Sequence, residues 1–214
     1  MPHPVNPRRA YDSTRRREQA RATRARVIAA ANEAFAQHGY AATTMPSIAA
    51  AADTSDETVY KSFGNKAALA KAVFDVAVAG DDDPVPIMMR PAILAIKAEP
   101  DPRRKLERFG VHVGEISGRI GPIMLVVRDA ASTDSGAADI WATMQAERLT
   151  GMTMFAEELA GNKSLRRGVS VDEARDVLWT HNSVELWDLL VRQRGWTNAR
   201  FGRWVGRQLI AALM

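Results

Sequence analysis

Cysteine is absent from this chain of 214 residues, which excludes disulfide bridges and thiolate metal sites alike. No apolar run approaches the length of about 20 residues that spans a bilayer, and residues 1–11 lack the apolar core of a signal peptide. A cytoplasmic protein without membrane contact is the expectation. Strand-like alternation is nowhere sustained, no internal repeat is visible, and neither a nucleophile constellation nor a glycine-rich phosphate loop occurs. These absences argue against a β-fold and against an enzyme, and no cofactor or metal is expected.

What is present is an ordinary globular composition, 46% hydrophobic and 25% charged, with basic charge gathered at one end. The formal net charge is +4, yet Arg8, Arg9, Arg15, Arg16, Arg17, Arg21, Arg24 and Arg26 face only Asp12 and Glu18 within the first 26 residues. Such an arm suits a polyanion, because each arginine can replace counterions condensed on phosphates. A solvated tail is the alternative for the same residues. Pro2, Pro4 and Pro7, with no apolar period around them, predict a disordered basic arm over residues 1–14.

From Arg15 the pattern turns helical. Ile28, Ala31 and Phe35, with Val27 and Ala34, form one apolar face; Gly39 is placed to end that helix and Tyr40 to pack back on it. Thr44, Ser55 and Asn65 are N-cap residues for three further helices. The first is anchored by Ile48, with Pro46 tolerable in its first turn; the second turns Val59 and Phe63 inward; the third runs to Ala79 with Leu69, Val73, Phe74 and Val76 on its apolar side. Two short helices on a tight connection are what a helix-turn-helix reader of DNA needs. Residues 80–86, with Asp81, Asp82 and Asp83 in a row, break the pattern. Beyond them the spacing predicts helices over 87–98, 102–120, 122–131, 138–160, 171–194 and 198–213, with Asp101, Ser170 and Thr197 as N-caps. The fold class is therefore all-α: an N-terminal three-helix helix-turn-helix domain over 15–80 and a larger C-terminal helical domain over 81–214.

The set Phe35 to Tyr40, Thr43-Thr44, Ile48-Ala49, Ala52 to Ser55, Thr58 to Lys66 and Leu69 resembles the DNA-binding domain of the TetR family of bacterial transcriptional regulators. The resemblance covers roughly residues 20–76; the rest is similar to that family only in length and helicity. It implies a homodimeric repressor released by a small-molecule effector, each protomer offering one recognition helix to a pseudo-palindromic double-stranded operator. Three positions depart from the pattern. Asp53 stands where glycine is common, although aspartate tolerates left-handed backbone. Thr54 replaces an apolar residue and weakens packing between the two short helices. Ser62 replaces an aromatic or histidine and retains a single hydrogen-bond donor.

Ser55 as N-cap places Asp56 and Glu57 in the first turn of the recognition helix. They stabilise the helix dipole by up to about 1 kcal/mol each, or one of them accepts a hydrogen bond from cytosine N4. Base readout is the expectation, with the choice between Asp56 and Glu57 open. Thr58 is placed for a thymine methyl or a phosphate. Tyr60, Lys61 and Lys66 are candidates for phosphate contacts, as are Thr44, Arg21 and Arg24.

In the C-terminal part, Trp141, Met144 and Phe155, together with Trp179, Trp187, Met152 and Met154, supply core bulk or line an effector pocket. His112 and Glu115 are spaced i, i+3, and His181 and Glu185 i, i+4, so each pair shares a helix face. They are candidates to hydrogen-bond an effector, along with Asn182; surface or satisfied core positions are the alternative. The resemblance implies that the two C-terminal helices form the dimer surface; covering the protomer's own core is the other use for their apolar residues. A helical carboxylate–histidine metalloenzyme is a competing class. The first His/Glu pair runs in the wrong order for it and the second has the wrong spacing. A non-specific DNA-coating protein is a third reading.

Overall fold

The computed structural model describes residues 7–83 and 85–214, with side chains from Arg15 onward. Every regular element among them is helical. The chain divides into two compact units, Met1–Val73 and Phe74–Met214.

The first unit holds α1 (Pro7–Ala42), α2 (Met45–Ala51), α3 (Asp56–Phe63) and the start of α4 (Lys66–Ala79). The α1 helix begins at Pro7 rather than after a disordered arm reaching residue 14; residues 1–6 of that arm lie outside the described residues. Its physical basis is plain. Between Pro7 and Gly39 there is no glycine or proline, and arginine, alanine and glutamine are good helix formers. Gly39 then bends the chain with φ 72° and ψ 179°, a region open essentially to glycine alone. Tyr40 returns to stack on Phe35 with ring centroids 5.8 Å apart. The buried Thr43 hydroxyl donates to the Gly39 carbonyl at 2.7 Å, closing the bend. Thr44 and Ser47 form a reciprocal capping box at the start of α2. Asp53 adopts φ 49°, the left-handed turn expected of it. Val27, Ile28, Phe35, Ile48, Val59 and Leu69 are buried together as the core of this unit.

The second unit contains a single 3₁₀ turn (Ile87–Met89), α5 (Pro91–Ala98), α6 (Pro102–Ala130), α7 (Ser135–Gly161), α8 (Val171–His181), α9 (Val184–Trp187), a π-helical turn (Asp188–Gln193) and α10 (Asn198–Leu213). Asp101, Ser170 and Thr197 each accept a hydrogen bond from the first turn they cap. Four helices differ from the sequence expectation. The one expected over 138–160 starts at Ser135, where the Asp134 carboxylate accepts from the Ala137 amide. Arg90 is extended because the residue before a proline avoids helical backbone, so the helix expected over 87–98 starts only at Pro91. Pro122 lies inside α6 instead of separating two helices. An interior proline costs about 3 kcal/mol, whereas Ile116, Ile120, Ile123, Met124 and Val127 on this stretch are all buried and contribute about 1.5–3 kcal/mol each. Burial wins. The helix expected over 171–194 instead ends at His181, because the Ser183 hydroxyl accepts from the Leu186 amide and starts a new helix there.

The packing of α6 against α10 is backbone on backbone. A Cβ on Gly110 would lie 2.5 Å from the Gly206 nitrogen, and one on Gly114 2.5 Å from the Asn198 carbonyl oxygen. Gly202 reciprocates at 2.6 Å from the Gly110 oxygen. The apolar side chains of α10 accordingly serve the protomer's own core: Phe201, Val205, Leu209 and Leu213 are fully buried. Of the side chains considered for a dimer surface, Leu178 and Val184 are buried as well. Leu189 is exposed, while Val177, Leu190, Trp204 and Ile210 are half-buried.

Gly110→Ala is expected to lower the unfolding free energy by about 1–3 kcal/mol in urea titration, as overpacking does. Gly151→Ala, where nothing lies within 4 Å of the added atom, is expected to raise it by about 0.5–1 kcal/mol. Equal stabilities of the two variants would contradict the seam.

Candidate DNA-reading face and a cavity in the second unit

Ser55 caps α3 by accepting from the Thr58 amide at 3.2 Å. Val59 and Phe63 anchor the helix inward, leaving Asp56, Glu57, Tyr60 and Lys61 exposed at i, i+1, i+4 and i+5 on one outward face. Tyr60 is 48% exposed, a large side chain for water to surround without a partner. Thr58 is half-buried, with its hydroxyl 2.8 Å from that of Ser55. Ser62 donates to the Thr58 carbonyl at 2.8 Å, so its one donor is already used within the helix.

The surrounding residues divide into exposed groups and groups that hold the unit together. Arg21 and Thr44 are exposed. Arg24 is half-buried, its guanidinium 4.7 Å above the Phe63 ring, where it braces the recognition helix. Lys66 donates to the Tyr40 carbonyl at 2.8 Å and sits 4.2 Å from the Tyr40 ring. This lysine pins the start of α4 to the end of α1, a fold role that its expected phosphate contact did not include. Arg26, not singled out from sequence, donates from Nε to the Ala52 carbonyl at 3.2 Å.

The second unit holds a cavity of about 510 Å³ that is partly open to solvent. Its walls are mainly apolar: Ile96 from α5, Phe109, Ile116, Ile120 and Met124 from α6, and Met144, Met152 and Phe155 from α7. Phe109 and Phe155 meet edge to face at 5.0 Å. His112, Arg148 and Asn182 place polar atoms on the lining. Burial holds the His112 imidazole below its usual pKa; Glu115 opposes that effect and Arg119 adds to it. At neutral pH this histidine is an uncharged donor and acceptor. The segment between α4 and α5 closes one side and is held by Arg90, which donates to the Asp81 carboxylate at 2.6 Å and to the Asp83 carbonyl at 2.9 Å. The bond from Arg90 holds the Asp81 carboxyl below the ordinary carboxylate range.

Residues 27–73 match the family described as bacterial regulatory proteins, tetR family. The tetR-family match thus lies within the helix-turn-helix unit and leaves the second unit outside it. The HTH-type transcriptional regulator TtgR of Pseudomonas putida is 43% identical over 61 residues, which are 28% of this chain and 29% of that protein. ArpR, a probable HTH-type transcriptional regulator of Pseudomonas putida, matches to the same extent. The match thus spans 29% of the length of these curated relatives. Among solved structures, the fatty acid degradation regulator FadR from Bacillus halodurans superposes with a TM-score of 0.71 at 17% identity, over 88% of this chain and 98% of that one. NalD from Pseudomonas aeruginosa gives 0.69 at 18% identity, over 90% and 96%. At such identities the structures show the fold, which extends through both units.

Of the effector candidates read from the sequence, the structure brings His112, Met144 and Phe155 together on the cavity. Glu115, Trp141, His181 and Glu185 are not on its lining. Glu115 is exposed, Trp141 is half-buried, His181 Nδ1 lies 2.8 Å from the Val177 carbonyl, and Glu185 faces Arg128 at 3.8 Å. Neither His/Glu pair therefore converges as a metalloenzyme site requires, and among the described residues no cluster of three or more His, Asp or Glu is placed to hold a metal. No helix among them is long and apolar enough to cross a membrane. Sequence reasoning missed Ile116, Ile120, Met124 and Arg148. The signal for Arg148 was its position between Met144 and Met152 at i, i+4 spacing.

Substitutions on α3 separate readout from positioning in an operator-variant binding panel. Tyr60→Phe is expected to weaken binding evenly across sequences, whereas Glu57→Ala or Asp56→Ala is expected to relax preference at one base pair by about 1–3 kcal/mol. Unchanged preference at every base removes that carboxylate from readout. Lys66→Ala is expected to lower the melting temperature as well as DNA affinity.

Proposed function

We propose that the chain is a sequence-specific DNA-binding transcriptional regulator, a homodimeric cytoplasmic repressor without enzymatic activity. In this reading residues 15–80 bind a pseudo-palindromic operator, and residues 81–214 dimerise through the C-terminal helices and hold a small, largely apolar effector. The observation that carries the reading is the outward face of α3, where polar and charged side chains stand on a helix anchored by Val59 and Phe63. Asp56, Glu57, Tyr60 and Lys61 head the contacts, with Arg21, Arg24, Thr44, Ser55, Thr58 and Lys66 around them. The cavity size falls in the range of small-molecule sites, and its mainly apolar surface suits an apolar ligand body. Leu189 and the half-buried Val177, Leu190, Trp204 and Ile210 supply the apolar surface for a partner copy.

Related proteins support the class without naming the ligand. TtgR is a transcriptional regulator, and NalD is the secondary repressor of a multidrug efflux pump. Effector binding would shift the protomer toward a form with lower DNA affinity by its preference for that form. Footprinting over the region upstream of the coding sequence is expected to protect one pseudo-palindromic site, in a complex containing an even number of protomers. Uniform protection of all DNA would instead support the coating protein.

A further inference from the structure

The α7 wall of the cavity carries a single basic side chain, Arg148, between two methionines. Met144, Arg148 and Met152 follow at i, i+4 and i+8, and all three reach the lining. The Arg148 guanidinium is held firmly by neutral groups. Its Nε and Nη2 donate to Gln145 Oε1 at 3.2 and 2.7 Å, and Nη1 donates to the carbonyls of Trp179 and Asn182, the latter at 3.0 Å. Those two carbonyls belong to the C-terminal end of α8, where cations are favoured. The Trp179 ring lies 4.4 Å from Cζ. A guanidinium has five N–H groups; these bonds use both hydrogens of Nη1, that of Nε and one of Nη2. One Nη2 hydrogen is left over.

None of these acceptors is a carboxylate. Burial accordingly lowers the Arg148 pKa to about 10, and Glu185 counteracts this only through space. The contrast with the neighbouring charges is direct. Of the other basic side chains on the lining, Arg90 is ion-paired with Asp81 and Lys97 is exposed to solvent. Of the acidic ones, Glu158 is ion-paired with Lys105. The remaining acidic side chains on the lining, Asp75, Asp82, Asp83 and Glu147, are exposed to solvent. A fixed cation with a remaining donor, on the wall of an apolar cavity, is an anion site waiting for its counter-charge.

We infer that the effector is an amphipathic organic anion whose single anionic group pairs with Arg148 while its apolar body lies along Phe109, Ile116, Ile120 and Met124. The inference rests on the proposed effector role of the cavity and assigns its chemical class. The anionic group, a carboxylate or a sulfate, would take the remaining Nη2 hydrogen and compete for Nη1 with the end of α8. Trp179, stacked on the guanidinium, would report occupancy through its fluorescence.

Isothermal titration of the full chain with decanoate, decyl sulfate, decanol and decyltrimethylammonium, all below their micelle concentrations, tests this. Both anions are expected to bind at least about tenfold tighter than decanol, and the cation weaker than decanol. Arg148→Gln, which can still donate to the end of α8, is expected to bring anions and decanol within about twofold of each other. Arg148→Lys keeps an anion preference, and Arg128→Gln, off the cavity lining, keeps it in full. Decanol binding as tightly as decanoate, or an anion preference that survives Arg148→Gln, overturns the role of Arg148 but leaves the cavity as an effector site. Loss of the preference in Arg128→Gln also overturns it, by pointing to overall charge. If none of the four ligands binds, both this inference and the effector role of the cavity fall.

Discussion

Close backbone contact between α6 and α10 is the constraint on which the second unit depends. Two helices normally keep their axes apart by the width of the side chains between them. Here Gly110 and Gly114 meet Gly202 and Gly206, and a single methyl at most of these positions would collide with backbone. The seam continues past the glycines. Gly118 leaves room for the Asn198 side chain, whose Oδ1 accepts from Trp187 Nε1 at 2.9 Å, and Gly121 leaves room for the Trp187 ring. From the helical repeat, this glycine stripe lies roughly 130° around α6 from Phe109, His112, Ile116, Ile120 and Met124. One helix thus supplies both a glycine-lined seam and one wall of the apolar cavity. A well-packed seam beside an open cavity is a sensible division, because space for a ligand is destabilising unless other contacts compensate.

The first unit answers a different problem, that of holding a two-turn helix rigid while its outer face stays polar. Isolated helices of this length are unstable in water. The Ser55 cap, the buried Val59 and Phe63, and Arg24 stacked on Phe63 compensate from three directions. Asp56 and Glu57 contribute at the helix start, where negative charge is favoured. Their presence on the face proposed to read DNA is then intelligible in two ways at once, as helix stabilisers before binding and as acceptors for exposed base amino groups in the proposed complex.

Local chemistry was legible in the sequence and long-range chemistry was not. The N-caps Thr44, Ser55, Asp101, Ser170 and Thr197, the bend at Gly39 and the left-handed Asp53 all depend on residues within a turn of one another, and each stands as expected. The last helix, Asn198–Leu213, has its expected bounds. Pro122 misled because its local cost is overridden by burial along the whole of α6. Lys66 misled, and Arg148 went unnoticed, for the same kind of reason: the carbonyls of Tyr40, Trp179 and Asn182 that hold them lie more than 25 residues away. His181 and Glu185 share a helical spacing, but a helix break at Asn182 separates them. The glycine spacing on α6 and α10 was visible, yet it carried no meaning until the two helices were known to face each other.

Occupation of the cavity is proposed to control DNA binding by α3, and thermodynamic linkage between the two ligands is the sharpest check on that coupling. Operator affinity should be measured by anisotropy with and without saturating decanoate, and decanoate affinity with and without the operator. Coupling requires the two factors to be equal, because each is the same free energy viewed from either ligand. Each ligand is expected to weaken the other by the same factor, on the order of 5–150-fold. Operator affinity unchanged by a demonstrably bound ligand would contradict the coupling.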